Sequence, residues 1–147
     1  MTTGFKINQA EDNAANYSIN TKLTSGTYSI STAEELAKLA AMTNNGLIGE
    51  NTEFVLANDI DLSAYSTGEG WTPIGSPSKS FTATFDGNGY VISNLYINTP
   101  SINCVGLFRW CNFAEIKNVG LENVDVTGDY EVGGLMGRGC NVTISNS

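Results

Sequence analysis

The sequence predicts an all-β fold, a parallel β-helix or solenoid, with one α-helix that caps its amino end. Three observations lead to this prediction: a stretch that recurs 28 residues further along the chain, short strands with two-residue periodicity between turns, and one segment with the caps and spacing of a helix. A recurrence of this length is typical of stacked repeats, in which each unit buries its apolar face only against its neighbours. The chain is therefore expected to stack short strands in successive, equivalent levels.

The recurrence is clearest where residues 106–109 align with residues 134–137, because the alignment then continues without a gap to the last corner. An apolar-x-Asn corner occurs three times, with a shift of 24 residues between the first and second and 28 between the second and third. Equivalent residues on successive levels are expected to stack, so the corners predict one apolar column and one asparagine ladder. The predicted columns are Ile92, Ile116 and Ile144, and Asn94, Asn118 and Asn146.

Short strands account for the residues between these corners. Leu95 and Ile97 alternate with polar residues, and Val119 and Leu121 repeat the pattern. Period two puts one set of side chains inside and the other in solvent, whereas the spacings of three and four that a helix needs are absent. Turn residues such as Asp-Gly-Asn-Gly at 86–89 separate the strands, because they accept a positive φ at low cost. Short strands joined by tight corners describe one coil of a parallel β-helix.

One helix is predicted before the strands. Ser31 and Thr32 each stand three residues before a glutamate, Glu34 and Glu35, which is the reciprocal capping pattern of a helix start. Apolar residues then recur at helical spacing until Asn-Asn-Gly at residues 44–46 ends the helix. Such a helix can cover the open end of the first coil, which would otherwise expose core side chains and unpaired strand backbone. Binding a partner is the alternative role for this helix.

The chain of 147 residues is long enough for one domain. The predicted organisation is a polar amino-terminal arm, residues 1–28, and a helix-capped solenoid domain, residues 29–147, with repeats at about 81–103, 104–131 and 132–147. The arm could fold back over the first coil, stay flexible or pair with another molecule, and the sequence leaves these alternatives open.

Charge and composition exclude several classes of partner. The net charge is −8 with seven Lys and Arg in all, so the chain lacks the clustered cations that bind nucleic acid or an anionic membrane surface. There is no apolar stretch of about 18 residues, so no membrane insertion is predicted. Histidine is absent, which removes the commonest metal ligand and general base, and no cofactor is predicted.

Two aspartates form a weak candidate for a metal site. Residues 54–62 are predicted to hold the first strands of the solenoid, with Leu56, Ile60 and Leu62 facing inward. Asp59 and Asp61 alternate with Ile60 and project to the other face, where they could bind Ca²⁺ with further oxygen ligands or act as the paired acids of a glycosidase. A solvated outer face, with Asp59 capping a turn, is the preferred interpretation.

Three aromatic residues are candidates for ligand binding. Tyr65 and Trp71 lie in a segment rich in Ser, Thr, Gly and Pro, residues 63–80, which is predicted to leave the coil as a loop. Aromatic rings on such a loop can stack on a sugar, although Trp71 can equally tuck back as core. Trp110 belongs with Phe108 and Phe113 to a crowded aromatic segment, one member of which is expected to be exposed.

The three cysteines leave two interpretations open. The 28-residue shift places Cys140 over Asn112, beside Cys111, so a Cys111–Cys140 disulfide is possible if the side chains face each other. Small buried thiols that pack as apolar side chains are the favoured alternative.

Part of the chain resembles a known repeat. Gly-Leu-x-Gly at 134–137, with Val-Gly before it, resembles the GLUG repeat of bacterial surface proteins, and the equivalent segment 106–109 departs from it at Arg109. The residues that carry the motif are Gly106, Leu107, Gly134, Leu135 and Gly137. The resemblance implies a right-handed β-helix in a secreted or cell-surface protein, often an adhesin or a region flanking a peptidase domain, and no catalytic residues.

The predicted function is a non-enzymatic, extracellular or cell-surface module for adhesion or structural assembly. Its partner would be another copy of itself or a surface protein or glycan. One alternative is a filament subunit that stacks head to tail through open strand edges. Another is a polysaccharide lyase, glycosidase or carbohydrate-binding module on the same scaffold, an analogy at the level of fold alone. Sparse cations and the absence of histidine disfavour the lyase.

Overall fold

A computed structural model describes residues 21–147, and the fold is mainly β with parallel sheets and one α-helix. In chain order the elements are β1 (Leu23–Ile30), α1 (Ala33–Asn44), β2 (Ile48–Leu56), β3 (Ile60–Asp61), a 3₁₀ helix (Ser63–Tyr65), β4 (Thr84–Asp86), β5 (Val91–Ser93), β6 (Tyr96–Asn98), β7 (Phe108–Asn112), β8 (Glu115–Lys117), β9 (Gly120–Glu122), β10 (Asp125–Thr127), β11 (Met136–Cys140) and β12 (Thr143–Ser145). No helix in this part of the chain has the length and apolar character needed to cross a membrane.

The strands form four short sheets, and every strand pair in them is parallel. The first sheet has the order β1-β2-β4-β8-β12, the second β3-β5-β9, the third β6-β10 and the fourth β7-β11. The chain visits the four sheets in the same order as β4 to β7 and again as β8 to β11. We call each circuit a pass: β2, β3 and residues 63–81 form pass one, β4 to β7 pass two, and β8 to β11 pass three.

The segment 63–81 belongs to the stack, and the prediction that it leaves as a loop was wrong. Isolated bridges pair Ile74 with Phe108 and Phe81 with Cys111, both parallel, and Gly70 with Ile97, which is antiparallel. Ile74 and Phe81 are completely buried, so this polar-looking segment supplies core side chains at wide intervals. Turn residues fill the intervals, which is why the sequence pattern suggested a loop.

The core consists of columns that run through the passes. In the first sheet Phe54 pairs with Phe85 and Phe85 with Ile116, and all three side chains are fully buried. Ile116 also pairs with Ile144, as the 28-residue recurrence predicts. Leu56, Ile60 and Leu62 are buried as predicted. Burying such side chains contributes about 1.5–3 kcal/mol each before entropy losses, so the columns are the main stabilising feature.

The 24-residue shift predicted for the first corner was wrong. Ile92 lies in the second sheet, where it pairs with Ile60 and with Leu121, 29 positions further along the chain. It therefore does not stack on Ile116, which lies in the first sheet. The mistake has a physical cause: each pass turns at several similar corners, and an apolar-x-Asn motif fits more than one of them.

Helix α1 begins with the predicted cap. The Thr32 hydroxyl oxygen accepts a hydrogen bond from the Glu35 amide at 3.1 Å, and the Glu35 carboxylate accepts one from the Ser31 amide at 2.7 Å. Thr32 and Glu35 thus form the reciprocal pair, while the alternative pairing of Ser31 with Glu34 is not used. At its other end the Asn44 side chain bonds the Pro73 carbonyl and the Gly75 amide, which fixes the helix against pass one.

Strand β1 changes the predicted division of the chain. It starts at Leu23 and pairs along its length with β2, so the boundary predicted between residues 28 and 29 falls inside a strand. Leu23 is buried, and the alternation that identifies the strand is hidden by the run of small polar residues after it. Residues 1–20 of the predicted arm lie outside the described residues.

Candidate functional site at the asparagine corners

Asparagines with a left-handed backbone turn the chain at the ends of successive strands. Asn94 follows β5 and Asn123 follows β9, with φ of 62° and 55°. Asn118 follows β8 and Asn146 follows β12, with φ of 58° and 53°. Asparagine tolerates this region better than other residues with a Cβ, because its short polar side chain bonds nearby groups. The sharp corners bring polar side chains of successive passes together.

These side chains form two ladders rather than the single predicted one. In the first, the Asn94 amide nitrogen donates to Asp61 at 2.8 Å and the Asn123 nitrogen donates to the Asn94 oxygen at 2.5 Å. In the second, Asn118 donates to Asp86 at 3.0 Å. Its oxygen accepts from Asn146 at 3.3 Å, so the predicted stacking of Asn118 with Asn146 is confirmed. Asn94 belongs to the other corner because it follows a strand of the second sheet.

Each ladder starts from an aspartate on the pass below. Asp61 accepts from the Asn94 side chain and from the Ser63 amide at 2.9 Å. Hydrogen bonds from the Asn94 side chain, and then from the Ser63 backbone and hydroxyl, hold the pKa of the exposed Asp61 carboxyl below its usual value. Asp59 accepts from the Val91 amide at 2.9 Å. Both predicted metal candidates therefore bond protein groups, and residues 21–147 contain no cluster of three or more His, Cys, Asp or Glu suited to a metal.

A cleft of about 320 Å³ opens beside the first ladder, and we call it the corner cleft. It is lined by Ser63, Ser66, Asn94, Leu95, Tyr96, Asn123 and Asp125. The 3₁₀ helix of pass one supplies the two serines. Tyr96 in β6 and Asp125 in β10 are paired directly across the third sheet. Three passes thus contribute to one cleft, which sequence reasoning missed because its residues lie far apart in the chain.

The predicted aromatic ligand pair lies elsewhere and is part of the core. Trp71 is only 2% exposed, its indole N–H donates to the Leu107 carbonyl at 3.3 Å, and Tyr65 packs edge-on against it at 5.5 Å. Both rings border an apolar cavity of about 160 Å³ beside alanines of α1. Trp71 is therefore not available to stack on a sugar, in agreement with the core alternative.

Trp110 is half-buried beneath an arginine of the next pass. The Arg138 guanidinium lies 5.0 Å from the centre of the Trp110 ring and forms an ion pair with Glu131 at 3.1 Å. The aromatic segment does have one exposed member, Phe113, at 70% exposure. The two segments with the Gly-Leu motif are adjacent, because the Leu107 amide donates to the Gly134 carbonyl and the Phe108 amide to the Leu135 carbonyl, both at 2.9 Å.

The cysteines are free, and the Cys111–Cys140 disulfide is not formed. Strand register places Cys140 opposite Asn112 and leaves Cys111 opposite Gly139, so the two thiols belong to alternate faces. Cys111 is fully buried, and burial raises its pKa to about 12, which makes it an apolar core residue. Cys140 is exposed.

The outer surface of the first sheet contains one carboxylate in an unfavourable setting. Glu53 in β2 is partly buried, and desolvation raises the pKa of its carboxyl. The Lys117 ammonium lowers it, whereas the carboxylates of Asp86 and Glu115 raise it. The folded chain therefore retains this proton to a higher pH than the unfolded chain, so its stability falls as the pH rises from about 4.5 through the raised pKa.

We expect Glu53→Gln to raise the free energy of unfolding at pH 7, because it removes a charge that folding disfavours. The gain should shrink and vanish as the pH falls below about 4.5, where the carboxyl is neutral in both states. Urea unfolding at pH 7 and pH 3.5 measures both values. Glu50→Gln, at an exposed glutamate of the same strand, is the control. Equal effects of the two substitutions would contradict the prediction.

Two proteins have sequence similarity to this chain. One is named "Putative Gly-rich membrane protein", from Evansella cellulosilytica, and is 40% identical over 85 residues, which cover 56% of this chain and 9% of that protein. The other is halomucin from Haloquadratum walsbyi, 36% identical over 122 residues, which cover 77% of this chain and 1% of halomucin. The chain thus spans less than a tenth of the length of either relative. No family model matches the chain, and no solved structure matches it significantly.

Proposed function

We propose that this chain is a right-handed parallel β-solenoid that serves as a non-catalytic structural module of an extracellular or cell-surface protein. The observation that carries the proposal is the strand register, in which each pass adds one parallel strand to the same sheets in the same order. A stack of this kind extends along one axis as passes are added, because each repeat contacts only its neighbours. Right-handed connections are the rule between parallel strands of one sheet.

The relatives support a surface or secreted location. Their names describe a membrane protein and a halomucin, and both are many times longer than this chain. A repetitive segment with few charged residues suits such a setting, since amide and hydroxyl ladders stack without the repulsion of like charges. The resemblance to GLUG repeats points in the same direction, and no described residue cluster suggests catalysis.

Pass three supports structural assembly ahead of adhesion. Val105 of pass two is buried, whereas Val132, its bridge partner on pass three, is 43% exposed. Ile144 is 44% exposed although its partner Ile116 is completely buried. Within residues 21–147, the outer edges of β9 to β12 bond no further strand. Apolar columns and open edges in register are the surface that a further pass of the same kind would cover.

Inserting a second copy of residues 108–135 after Leu135 tests the proposal. The inserted junction repeats the native sequence at Leu107-Phe108, so the copy should form one more complete pass. We expect each added copy to lengthen the particle by about 4.8 Å, the spacing of neighbouring strands, as measured by small-angle X-ray scattering for one and two copies. The unfolding midpoint should stay equal or rise, because a new interface is added.

The matched control carries the same 28 residues in scrambled order. It should remain an unfolded insertion, with no added β signal in circular dichroism and no stepwise growth of the folded body. Native and scrambled copies that give the same scattering profile would overturn the solenoid proposal, since residue order would then be irrelevant to stacking.

A further inference from the structure

The corner cleft presents hydrogen-bond acceptors that the protein itself does not use. Asn94 is fully engaged, because its nitrogen bonds Asp61 and its oxygen accepts from Asn123. Within residues 21–147, no hydrogen bond reaches the Asn123 side-chain oxygen or the Asp125 carboxylate. The Ser66 hydroxyl donates to the Ser63 carbonyl, which leaves its lone pairs as acceptors. A ligand that satisfies these groups must bring several donors.

An aromatic ring stands beside the acceptors. Tyr96 is half-buried and lies directly opposite Asp125 on the neighbouring parallel strand. Such strands are about 4.8 Å apart, and equivalent positions share a face, so the ring and the carboxylate border the same part of the cleft. Tyrosine combines an apolar ring with a polar hydroxyl and suits contacts that are partly wet. The cleft therefore offers one flat apolar surface next to three acceptor groups.

Charge and volume narrow the class of ligand. No Lys or Arg lines the cleft, and Asp125 would repel an anion. A purely apolar ligand would leave the carboxylate and the amide oxygen without partners, which is costly. The volume of about 320 Å³ lies at the small end of the range for small-molecule sites and is twice that of the apolar cavity beside α1. A neutral pyranose combines hydroxyl donors with an apolar face of C–H groups.

We propose that the corner cleft binds a neutral pyranose unit of an oligosaccharide. Its hydroxyls donate to Asn123, Asp125 and Ser66, and its C–H face lies on the Tyr96 ring. The cleft joins three passes, so binding also links the 3₁₀ helix of pass one to β10 of pass three. This inference depends on the local geometry of the cleft and does not require the structural role proposed above.

Titration of the ¹⁵N-labelled full chain with cellobiose and with maltose, each to about 50 mM, tests the site by NMR, since millimolar dissociation constants are within reach. We expect saturable shifts of the backbone amides at residues 94–96 and 123–125 with at least one of the two disaccharides. Asp125→Ala and Tyr96→Leu should each weaken binding by about tenfold or more. Asp125 is exposed, so its substitution should leave the fold intact even if Tyr96→Leu does not.

Asp129→Ala is the matched control, because Asp129 is an exposed acid of the same pass outside the cleft, and its substitution should leave the dissociation constant unchanged. Glucuronic acid should bind at least tenfold more weakly than the neutral sugar. The proposal is overturned if neither disaccharide gives saturable shifts, if binding survives Asp125→Ala undiminished, or if glucuronic acid binds equally well. It is also overturned if calcium chloride alone reproduces the same shifts, since the cleft would then be a cation site.

Discussion

Phe85→Ala is expected to lower the free energy of unfolding by about 3–5 kcal/mol, the usual cost of removing a buried aromatic side chain. The Phe85 ring has no exposed surface and lies between Phe54 and Ile116 in the first sheet. It also contacts the Phe108 ring edge-on at 5.3 Å. The stacked columns above and below are fixed by strand register and cannot collapse into the cavity, so the loss should lie at the upper end of this range.

Chemical unfolding monitored by circular dichroism measures the effect. Phe113→Ala is the control, because it makes the same chemical change at a side chain that is 70% exposed. Its effect should stay within about 0.5 kcal/mol. Losses of similar size at the two positions would show that the columns of the first sheet do not dominate stability.

Gly70→Ala is expected to be more damaging than the loss of conformational freedom alone explains. A methyl group on Gly70 would overlap the Tyr96 carbonyl oxygen, which accepts a hydrogen bond from the Trp71 amide at 2.8 Å. Relieving the overlap would push pass one away from β6 and disturb the buried Trp71 ring. With the positive φ of 83° adding about 1–2 kcal/mol, we expect a total loss above about 3 kcal/mol.

Gly68→Ala separates strain from overlap. Gly68 also has a positive φ, 63°, but nothing lies within 4 Å of the position that a Cβ would occupy. Its substitution should therefore cost only the backbone strain, about 1–2 kcal/mol. The difference between the two variants in urea unfolding measures how closely pass one approaches β6. Equal losses would mean that the contact between Gly70 and Tyr96 is looser than described.

Local patterns predicted the elements and one of the registers correctly. Thr32 and Glu35 cap α1 because their spacing alone fixes the reciprocal bonds. Ile116 stacks with Ile144 and Asn118 with Asn146 because pass three follows pass two by a constant 28 residues in the first sheet. Constant spacing is visible in sequence, since nothing is inserted between the equivalent strands.

Register failed wherever pass length varied or corners resembled one another. Asn94 and Asp61 are 33 residues apart, and Asn118 and Asp86 are 32 apart, so no fixed shift aligns pass one with the later passes. Trp71 looked like a loop aromatic because the core residues of its segment are separated by turn residues. The Cys111–Cys140 pair was one residue out of register, which in a strand means the opposite face.

The sequence by itself determined that this chain forms short strands, tight asparagine corners and one capped helix, because propensity, capping and alternation act within a few residues. Only the tertiary structure decided which corner joins which ladder, where Trp71 is buried, and that Ser66, Tyr96 and Asp125 border one cleft. Those outcomes depend on how many residues each pass uses before the next strand pairs. Pairing across about 30 residues is set by the packing of whole columns, which no local pattern encodes.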